Sequence, residues 1–229
     1  MNFLNRFLDK NSDKKENAEV KDKKKDEMEN ASKADKKTEE KSLIEAPQPK
    51  FKPIVKKSMV AILLEDSKET AKYKNIIEKI IRNIILKDDN NMPKDIIYIL
   101  KYNNNVVEFV YKNIKEINFN HLFSKNYEND KCCLDDAIVK LSEIINKEYC
   151  KKKETEKEII YYESAEIIGI GRCIDTNENT LETISILLFS KIANRENINT
   201  KYYSISNECM VNAAKYGFRS IGSMNHSFI

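Results

Sequence analysis

The chain has 229 residues, of which 34% are charged and 41% hydrophobic, and its formal net charge is +3. Residues 1–58 carry a net charge of +4 and residues 59–229 a net charge of −1, so the positive excess lies outside the most apolar part of the chain. With no RNP-like, helix-turn-helix or zinc-finger signature, this balance argues against a nucleic-acid partner. No apolar run approaches the roughly 20 residues that a membrane-spanning helix needs.

The first 55 residues divide into two predicted segments. Residues 1–10 carry four apolar side chains at helical spacing, namely Phe3, Leu4, Phe7 and Leu8. This spacing predicts a short amphipathic helix that contacts a membrane surface or a groove on a partner, and a frayed apolar terminus is the alternative. Residues 11–55 are rich in Lys, Glu, Asp and Asn. They are predicted to form a disordered charged linker, because such a composition buries too little apolar area to offset the entropy of ordering.

The cysteines and the N-terminal residues bear on the compartment. The five cysteines are odd in number and include no C-x-x-C pair, and charged residues interrupt any apolar signal stretch at the N-terminus. We therefore expect a cytoplasmic protein with reduced thiols, at most peripheral to a membrane. The abundance of Lys, Asn and Ile is compatible with a low-GC bacterium.

Residues 56–229 are predicted to form the folded domain, and the first half of it begins with a buried strand. The apolar run at 59–64 has the length and continuity of a strand that is buried on both faces. Apolar residues then recur at steps of three and four between residues 73 and 85, which predicts a helix. Residues 95–102 and 106–110, joined by three asparagines, predict a β-hairpin.

The second half continues the alternation of helices and strands. After an irregular connection at 111–131, residues 133–149 carry one apolar helical face, and a charged loop leads to two strand candidates at 159–164 and 165–171. Further elements are a helix at 180–195, a strand at 200–206, a short helix capped by Ser206 or Asn207 and ended by Gly217, and an edge strand at 218–222. This alternation predicts a Rossmann-like α/β fold, in which helices flank a mostly parallel central sheet with one antiparallel hairpin strand.

A polar turn, "EDSKET" at 65–70, follows the first strand. In parallel α/β sheets the loops at the carboxyl ends of the strands form the functional edge, so this turn is a candidate site. One interpretation is local: Asp66 or Ser67 caps the helix that begins near Lys68, and Glu69 lies favourably against the helix N-terminal dipole. The other interpretation is a metal site.

The metal interpretation comes from a resemblance. The element order of residues 57–225, with the stretches "EDSKE", "LDDAI" and "EIIGIG", resembles the von Willebrand factor A domain. In that family the first strand usually ends in D-x-S-x-S, which holds magnesium or manganese together with a threonine ahead of a later helix and an aspartate after the fourth strand. The resemblance implies an ion that leaves one position for a carboxylate of the partner protein.

Residue by residue, the sequence departs from this motif at its start. Glu65 stands where the first aspartate belongs, Ser67 fits, and Glu69 replaces the second serine. The threonine position falls near Cys132 or Cys133, whose soft thiols suit magnesium poorly.

The later part of the motif departs further. Arg172 follows the glycine-rich strand where an aspartate is expected, although Asp175 is close. An arginine there repels a cation, or replaces one by pairing with Glu65. We therefore expect no cofactor and no bound metal, with Mg²⁺ or Mn²⁺ as the alternative.

The sequence thus favours a non-enzymatic protein–protein interaction module of the von Willebrand factor A type, tethered by a disordered tail. We name its proposed binding surface the rim, meaning the loops around residues 65–69, 132–136 and 171–175. The candidate residues on it are Glu65, Asp66, Ser67, Glu69, Cys132, Asp135, Arg172 and Asp175. The resemblance implies an unidentified protein partner, such as an ATPase of the AAA class or a membrane-associated complex. The alternatives are a metal-dependent enzyme or adhesion-type domain, and a membrane-surface scaffold recruited by residues 1–10.

Overall fold

The computed structural model describes residues 51–86, 94–127, 131–176 and 181–224. The predicted helix at 1–10 and all of the predicted linker up to residue 50 lie outside the described residues. Among the residues that are described, no helix is both long and apolar enough to cross a membrane.

Seven strands and five α-helices make up the described part of the domain. The strands are β1 (Ile54–Glu65), β2 (Lys94–Tyr102), β3 (Val106–Tyr111), β4 (Lys152–Glu154), β5 (Ile159–Gly171), β6 (Ile198–Ser204) and β7 (Ser220–Ser223). The helices are α1 (Lys68–Ala71), α2 (Lys74–Leu86), α3 (Leu134–Glu148), α4 (Glu182–Ala193) and α5 (Asn207–Tyr216). Two short 3-10 turns, Ile114–Glu116 and Phe119–His121, lie between β3 and α3.

All seven strands form one sheet. Its order is β3-β2-β1-β5-β6-β7, and β4 pairs with the beginning of β5. The pairs β2–β3 and β4–β5 are antiparallel, and the remaining pairs are parallel. The structure therefore confirms the predicted α/β fold with a mostly parallel sheet and an antiparallel hairpin.

The sheet separates two apolar layers, and β1 contributes to both because successive side chains of a strand point to opposite faces. Met59, Ala61 and Leu63 belong to the layer that includes buried residues of α3, α4 and α5. Val60, Ile62 and Leu64 belong to the layer that includes the buried isoleucines of α2. The continuous apolar run at 59–64 thus reflects a central strand that is covered on both sides.

Four details of the predicted elements were wrong. The first strand begins at Ile54, inside the stretch predicted to be a disordered linker, because Ile54 and Val55 pair with Ile159 and Ile160 of β5. The two strand candidates at 159–164 and 165–171 form one strand, β5, because β1 pairs with it from Ile159 to Ile170 and a register shift between Lys57 and Ser58 absorbs the irregularity. The predicted charged loop contains β4, whose three residues are all exposed. The helical pattern after residue 68 is divided into α1 and α2 by a short turn at 72–73.

Candidate functional site

The three rim loops meet at the carboxyl ends of β1 and β5. Side chains and backbone join them: the Cys132 thiol donates to Glu65 at 3.4 Å, and the Asp135 amide donates to Asp175 Oδ2 at 2.8 Å. The Cys132 amide also donates to Thr176 Oγ1 at 2.7 Å. The loops predicted to form one surface are therefore in contact.

Glu65 is fully buried at the end of β1. It continues the face of Met59, Ala61 and Leu63, which places its carboxylate on the side of the sheet where α3 packs. Arg172 binds it twice: its backbone amide donates to Oε2 and its Nε donates to Oε1, both at 2.5 Å. The predicted pairing of Arg172 with Glu65 is confirmed.

The space for this ion pair depends on Gly171. Its φ of +141° lies in a region that side-chain-bearing residues rarely adopt, and a Cβ there would approach Glu65 Cβ and Oε2 to 2.5 Å. Glycine at the end of β5 thus lets the Glu65 carboxylate lie directly against the β5 backbone.

Cys132 completes the group around Glu65. Arg172 Nη2 donates to its sulfur at 3.1 Å. Burial, and next the negative charge of Glu65, raise the pKa of the Cys132 thiol to about 12, although the charge of Arg172 opposes this. The thiol therefore remains protonated at neutral pH, so it is a poor nucleophile.

Asp66 is also buried, but its carboxylate has different partners. Its Oδ1 accepts hydrogen bonds from the Ser124 amide at 2.9 Å and the Tyr127 hydroxyl at 3.0 Å. Its Oδ2 accepts from the Ser124 hydroxyl and lies 3.0 Å from the Lys101 ammonium group. Asp66 thereby anchors the irregular connection between β3 and α3 to the rim.

Ser67 and Glu69 have the roles expected of a capped helix start rather than of a metal site. Ser67 caps α1, because its hydroxyl oxygen accepts from the Thr70 amide at 3.1 Å. Glu69 lies in the first turn of α1, where the helix dipole favours a negative charge. Its carboxylate forms an exposed ion pair with Lys72 at 2.6 Å.

Asp135 lies in the first turn of α3 and is buried. Its Oδ1 accepts hydrogen bonds from the hydroxyl groups of Ser185 and Tyr216, the latter at 2.8 Å. Burial and this bond raise the pKa of Tyr216 far above its ordinary value. Asp135 therefore joins α3, α4 and α5 and forms one wall of a cavity of about 240 Å³ that Asp175, Glu182 and Lys215 also line.

The donors on the rim do not fit a magnesium or manganese ion. Such ions prefer several carboxylate, hydroxyl and water oxygens. The carboxylate of Glu65 is bound to a guanidinium group, that of Asp66 lies against an ammonium group, and the hydroxyl of Ser67 is part of a helix cap. Within the described ranges, no group of three or more His, Cys, Asp or Glu side chains is placed to hold a metal ion.

Sequence reasoning missed several partners of the rim carboxylates. These are Lys101, Ser124, Tyr127, Ser185 and Tyr216. Lys101 gave a usable signal, because it lies next to last in the predicted strand at 95–102, near the carboxyl end of that strand. The others come from an irregular segment and from two later helices, where no local pattern indicates a contact with residues 66 or 135.

Comparisons with known proteins complete the description of the site. No family model matches the chain, and no curated protein matches it. Similar solved structures include two of proximal thread matrix protein 1 from the mussel byssus, each 7% identical, with TM-scores of 0.44 and 0.46. These alignments cover 76% of this chain but only 46% and 43% of the mussel chains, so the chain spans less than half of their length.

A third similar structure is the N-terminal domain of TFIIH p34. It is 10% identical with a TM-score of 0.39, and the alignment covers 72% of this chain and 89% of that chain. At these identities and scores, the comparisons assign neither a family nor a function.

Proposed function

We propose that the domain is a non-enzymatic protein–protein interaction module of the von Willebrand factor A type with a metal-free rim. The observed element order supports this proposal, because it is the order on which the resemblance depends. The partner is a protein whose identity stays open, and an ATPase of the AAA class remains a prediction from the resemblance.

The ion pair between Arg172 and Glu65 is the observation that carries the proposal. A cation at the end of β1 would need the Glu65 carboxylate, which a guanidinium group already binds at 2.5 Å. A divalent ion placed there would also be repelled by the positive charge of Arg172. The arginine thus supplies, from within the chain, the positive charge that an ion would otherwise bring.

We propose no catalytic role because the reactive side chains of the rim are protonated or already bound. Burial raises the pKa of Cys132 and of Cys133 to about 12 in each case, which disfavours the nucleophilic thiolate. The carboxylates of Glu65 and Asp66 are buried and fully engaged, so neither is placed to accept a proton from a substrate.

The exposed part of the rim supplies the proposed contact surface. Lys68 and Glu69 project from the start of α1, while Lys131 and Thr176 lie beside the other two loops with exposed side chains. Exposed charged groups of both signs favour a partner surface with complementary charges.

The metal-free part of the proposal can be tested by thermal unfolding of the full chain. Melting temperatures would be measured in buffer and with Mg²⁺, Mn²⁺ or Ca²⁺. We expect no increase specific to Mg²⁺ or Mn²⁺. An increase with Mn²⁺ beyond the Ca²⁺ control, lost in Glu65→Gln, would contradict the metal-free rim.

The location of the binding surface can be tested by affinity capture with the full chain as bait. The double variant Lys68→Glu, Glu69→Lys reverses two solvent-facing charges on the rim without touching a buried group. Glu143→Lys, Lys147→Glu is the matched control, because it reverses the same residue types on the exposed face of α3. Loss of a specific partner in the rim variant alone is expected, and an unchanged set of partners would place the interface elsewhere.

A further inference from the structure

The cavity that Asp135 helps to form lies between two of the rim loops and two helices. The rim loops 132–136 and 171–175 supply Asp135 and Asp175, while α4 and α5 supply Glu182 and Lys215. Glu182 and Lys215 form an ion pair that is about half exposed, whereas Asp135 is only 3% exposed. The cavity therefore leads from an exposed ion pair inward to a buried carboxylate.

Asp135 differs from the other buried carboxylates of the domain. Within the described ranges, Glu65, Asp66 and Glu148 are also buried, and each forms an ion pair. Their cationic partners are, in the same order, Arg172, Lys101 and Lys153. No ion pair of the described residues includes Asp135. One buried carboxylate of the rim is thus left without a cation from its own chain.

The two oxygens of the Asp135 carboxylate have different surroundings. Oδ1 accepts the hydroxyl groups of Ser185 and Tyr216. In the part of the chain that the structure describes, no hydrogen bond reaches Oδ2, which retains accessible surface toward the cavity. The two hydroxyls and the N-terminal end of α3 stabilise the negative charge but do not cancel it. Because an uncompensated buried charge is costly, a cation from outside the domain is favoured at Oδ2.

The charge and size of the cavity limit what such a cation can be. Its described lining has three carboxylates, those of Asp135, Asp175 and Glu182, and one ammonium group, that of Lys215, which contacts Glu182 at the outer end. The volume of about 240 Å³ is below the roughly 300–1,000 Å³ of sites for cofactors and drug-sized ligands. The described side chains do not form a metal site. A single basic side chain of another protein fits both the volume and the charge.

We propose that this cavity binds an arginine side chain of the partner protein, an inference that rests on the proposed function of the rim as a protein-binding surface. A guanidinium group donates several hydrogen bonds in one plane and is more weakly hydrated than an ammonium group, so it enters a partly buried acidic site more readily than lysine does. Ile174 and Tyr216 also line the cavity and offer apolar surface to the aliphatic part of the side chain.

The proposed contact has the opposite charge to the one that a metal-bearing rim implies. An ion at the end of β1 would bind a carboxylate of the partner, whereas the acidic cavity binds a cation. Lys215 has a second role in this arrangement, because its ammonium group competes with the incoming guanidinium for Glu182. Removing the Lys215 charge should therefore strengthen binding, which a merely structural role of these residues does not predict.

An NMR titration of the isotope-labelled full chain tests the proposal without a partner protein. The probes are N-acetyl-arginine methylamide, the citrulline analogue as its uncharged isostere, and the lysine analogue. The arginine probe is expected to shift the amide resonances of Asp175, Asn212 and Lys215 with a dissociation constant in the millimolar range. The citrulline probe should bind at least about tenfold more weakly, and the lysine probe should lie between the two. Equal binding of the arginine and citrulline probes, or no binding of the arginine probe up to about 50 mM, would overturn the proposal.

Variants of the cavity sharpen the titration. Asp135→Asn should weaken binding of the arginine probe about tenfold, and its amide oxygen can still accept the Ser185 and Tyr216 hydroxyls. Lys215→Gln, on an exposed side chain, should strengthen binding about threefold. Glu143→Gln on the exposed face of α3 is the control for loss of a negative charge, and circular dichroism verifies folding. Binding that changed in neither Asp135→Asn nor Lys215→Gln would show that the probe binds elsewhere.

Affinity capture with the same variants connects the cavity to the partner protein. Asp135→Asn bait should lose the specific partner that wild-type bait retains, and Glu143→Gln bait should keep it. A partner that depends on Lys68 and Glu69 but is retained by Asp135→Asn would overturn the cavity assignment and leave the proposed function intact. An arginine probe that binds as expected, with a partner that ignores every rim variant, would instead contradict the proposed function of the rim.

Discussion

Glu65 and Asp66 are neighbours in sequence, carry the same charge and are both buried, yet the structure satisfies them by different means. Glu65 depends mainly on one residue, since Arg172 supplies both a guanidinium and a backbone donor, and the Cys132 thiol adds one weaker bond. Asp66 shares its bonds among Lys101, Ser124 and Tyr127. A single substitution can therefore leave a carboxylate with one dominant partner unpaired. A carboxylate with several partners keeps the remaining hydrogen bonds when one partner is removed.

The largest effect is expected for Arg172→Met. It keeps the side-chain volume but leaves the buried charge of Glu65 with only the backbone amide and the Cys132 thiol. Removing one partner of a buried ion pair typically lowers the free energy of unfolding by about 3–5 kcal/mol. Urea denaturation followed by circular dichroism would measure this decrease in the free energy of unfolding.

A double-mutant cycle provides the control for this substitution. Adding Glu65→Gln removes the unpaired charge, so the double variant should be less destabilised than the sum of the two single variants. Simple additivity would show that Glu65 and Arg172 do not depend on each other.

A smaller effect is expected for Lys101→Met. Asp66 keeps the Ser124 and Tyr127 donors, so the loss should be close to that of one charged hydrogen bond, about 1.5–3 kcal/mol. The same denaturation assay applies. If Lys101→Met proved as damaging as Arg172→Met, the contrast between the two carboxylates would be wrong.

The smallest expected effect is the loss of folding stability when the pH is raised. It comes from Cys132, whose thiol contacts Glu65. The pKa of Cys132 is raised in the folded state, so the protein retains the thiol proton while the unfolded chain begins to lose it near pH 9. The contribution of the Cys132 thiol to the free energy of unfolding is therefore fully present well below pH 9 and decreases as the pH rises from there toward the folded-state pKa of about 12. Between pH 7 and 9 the loss should be about 0.4 kcal/mol, measured as the difference between wild type and Cys132→Ala. A stability difference that did not change with pH would argue against a protonated thiol.

Local patterns were enough to predict much of the fold. The β2–β3 hairpin, the cap of α1 at Ser67 and the end of α5 at Gly217 each depend on neighbouring residues, and the structure confirms them. The ion pair of Glu65 with Arg172 could also be predicted, because both residues follow strands whose carboxyl ends lie at the same edge of a parallel sheet.

Other features depend on contacts that no local pattern records. β4 consists of exposed charged residues and exists as a strand only because the beginning of β5 offers an edge for pairing. The partners of Asp66 come from an irregular connection, and those of Asp135 come from α4 and α5. Such contacts are set by the packing of the whole domain rather than by the spacing of residues along the chain.

The ion pair between Arg172 and Glu65 has a consequence for the free energy of binding a partner protein. Arg172 is bound to Glu65 through both its backbone amide and its side chain. The start of the loop that follows β5 is therefore ordered before a partner arrives. Binding to a preformed surface loses less conformational entropy than binding that must first order a flexible loop. If the proposed rim is the binding surface, association there should resemble the docking of two rigid bodies.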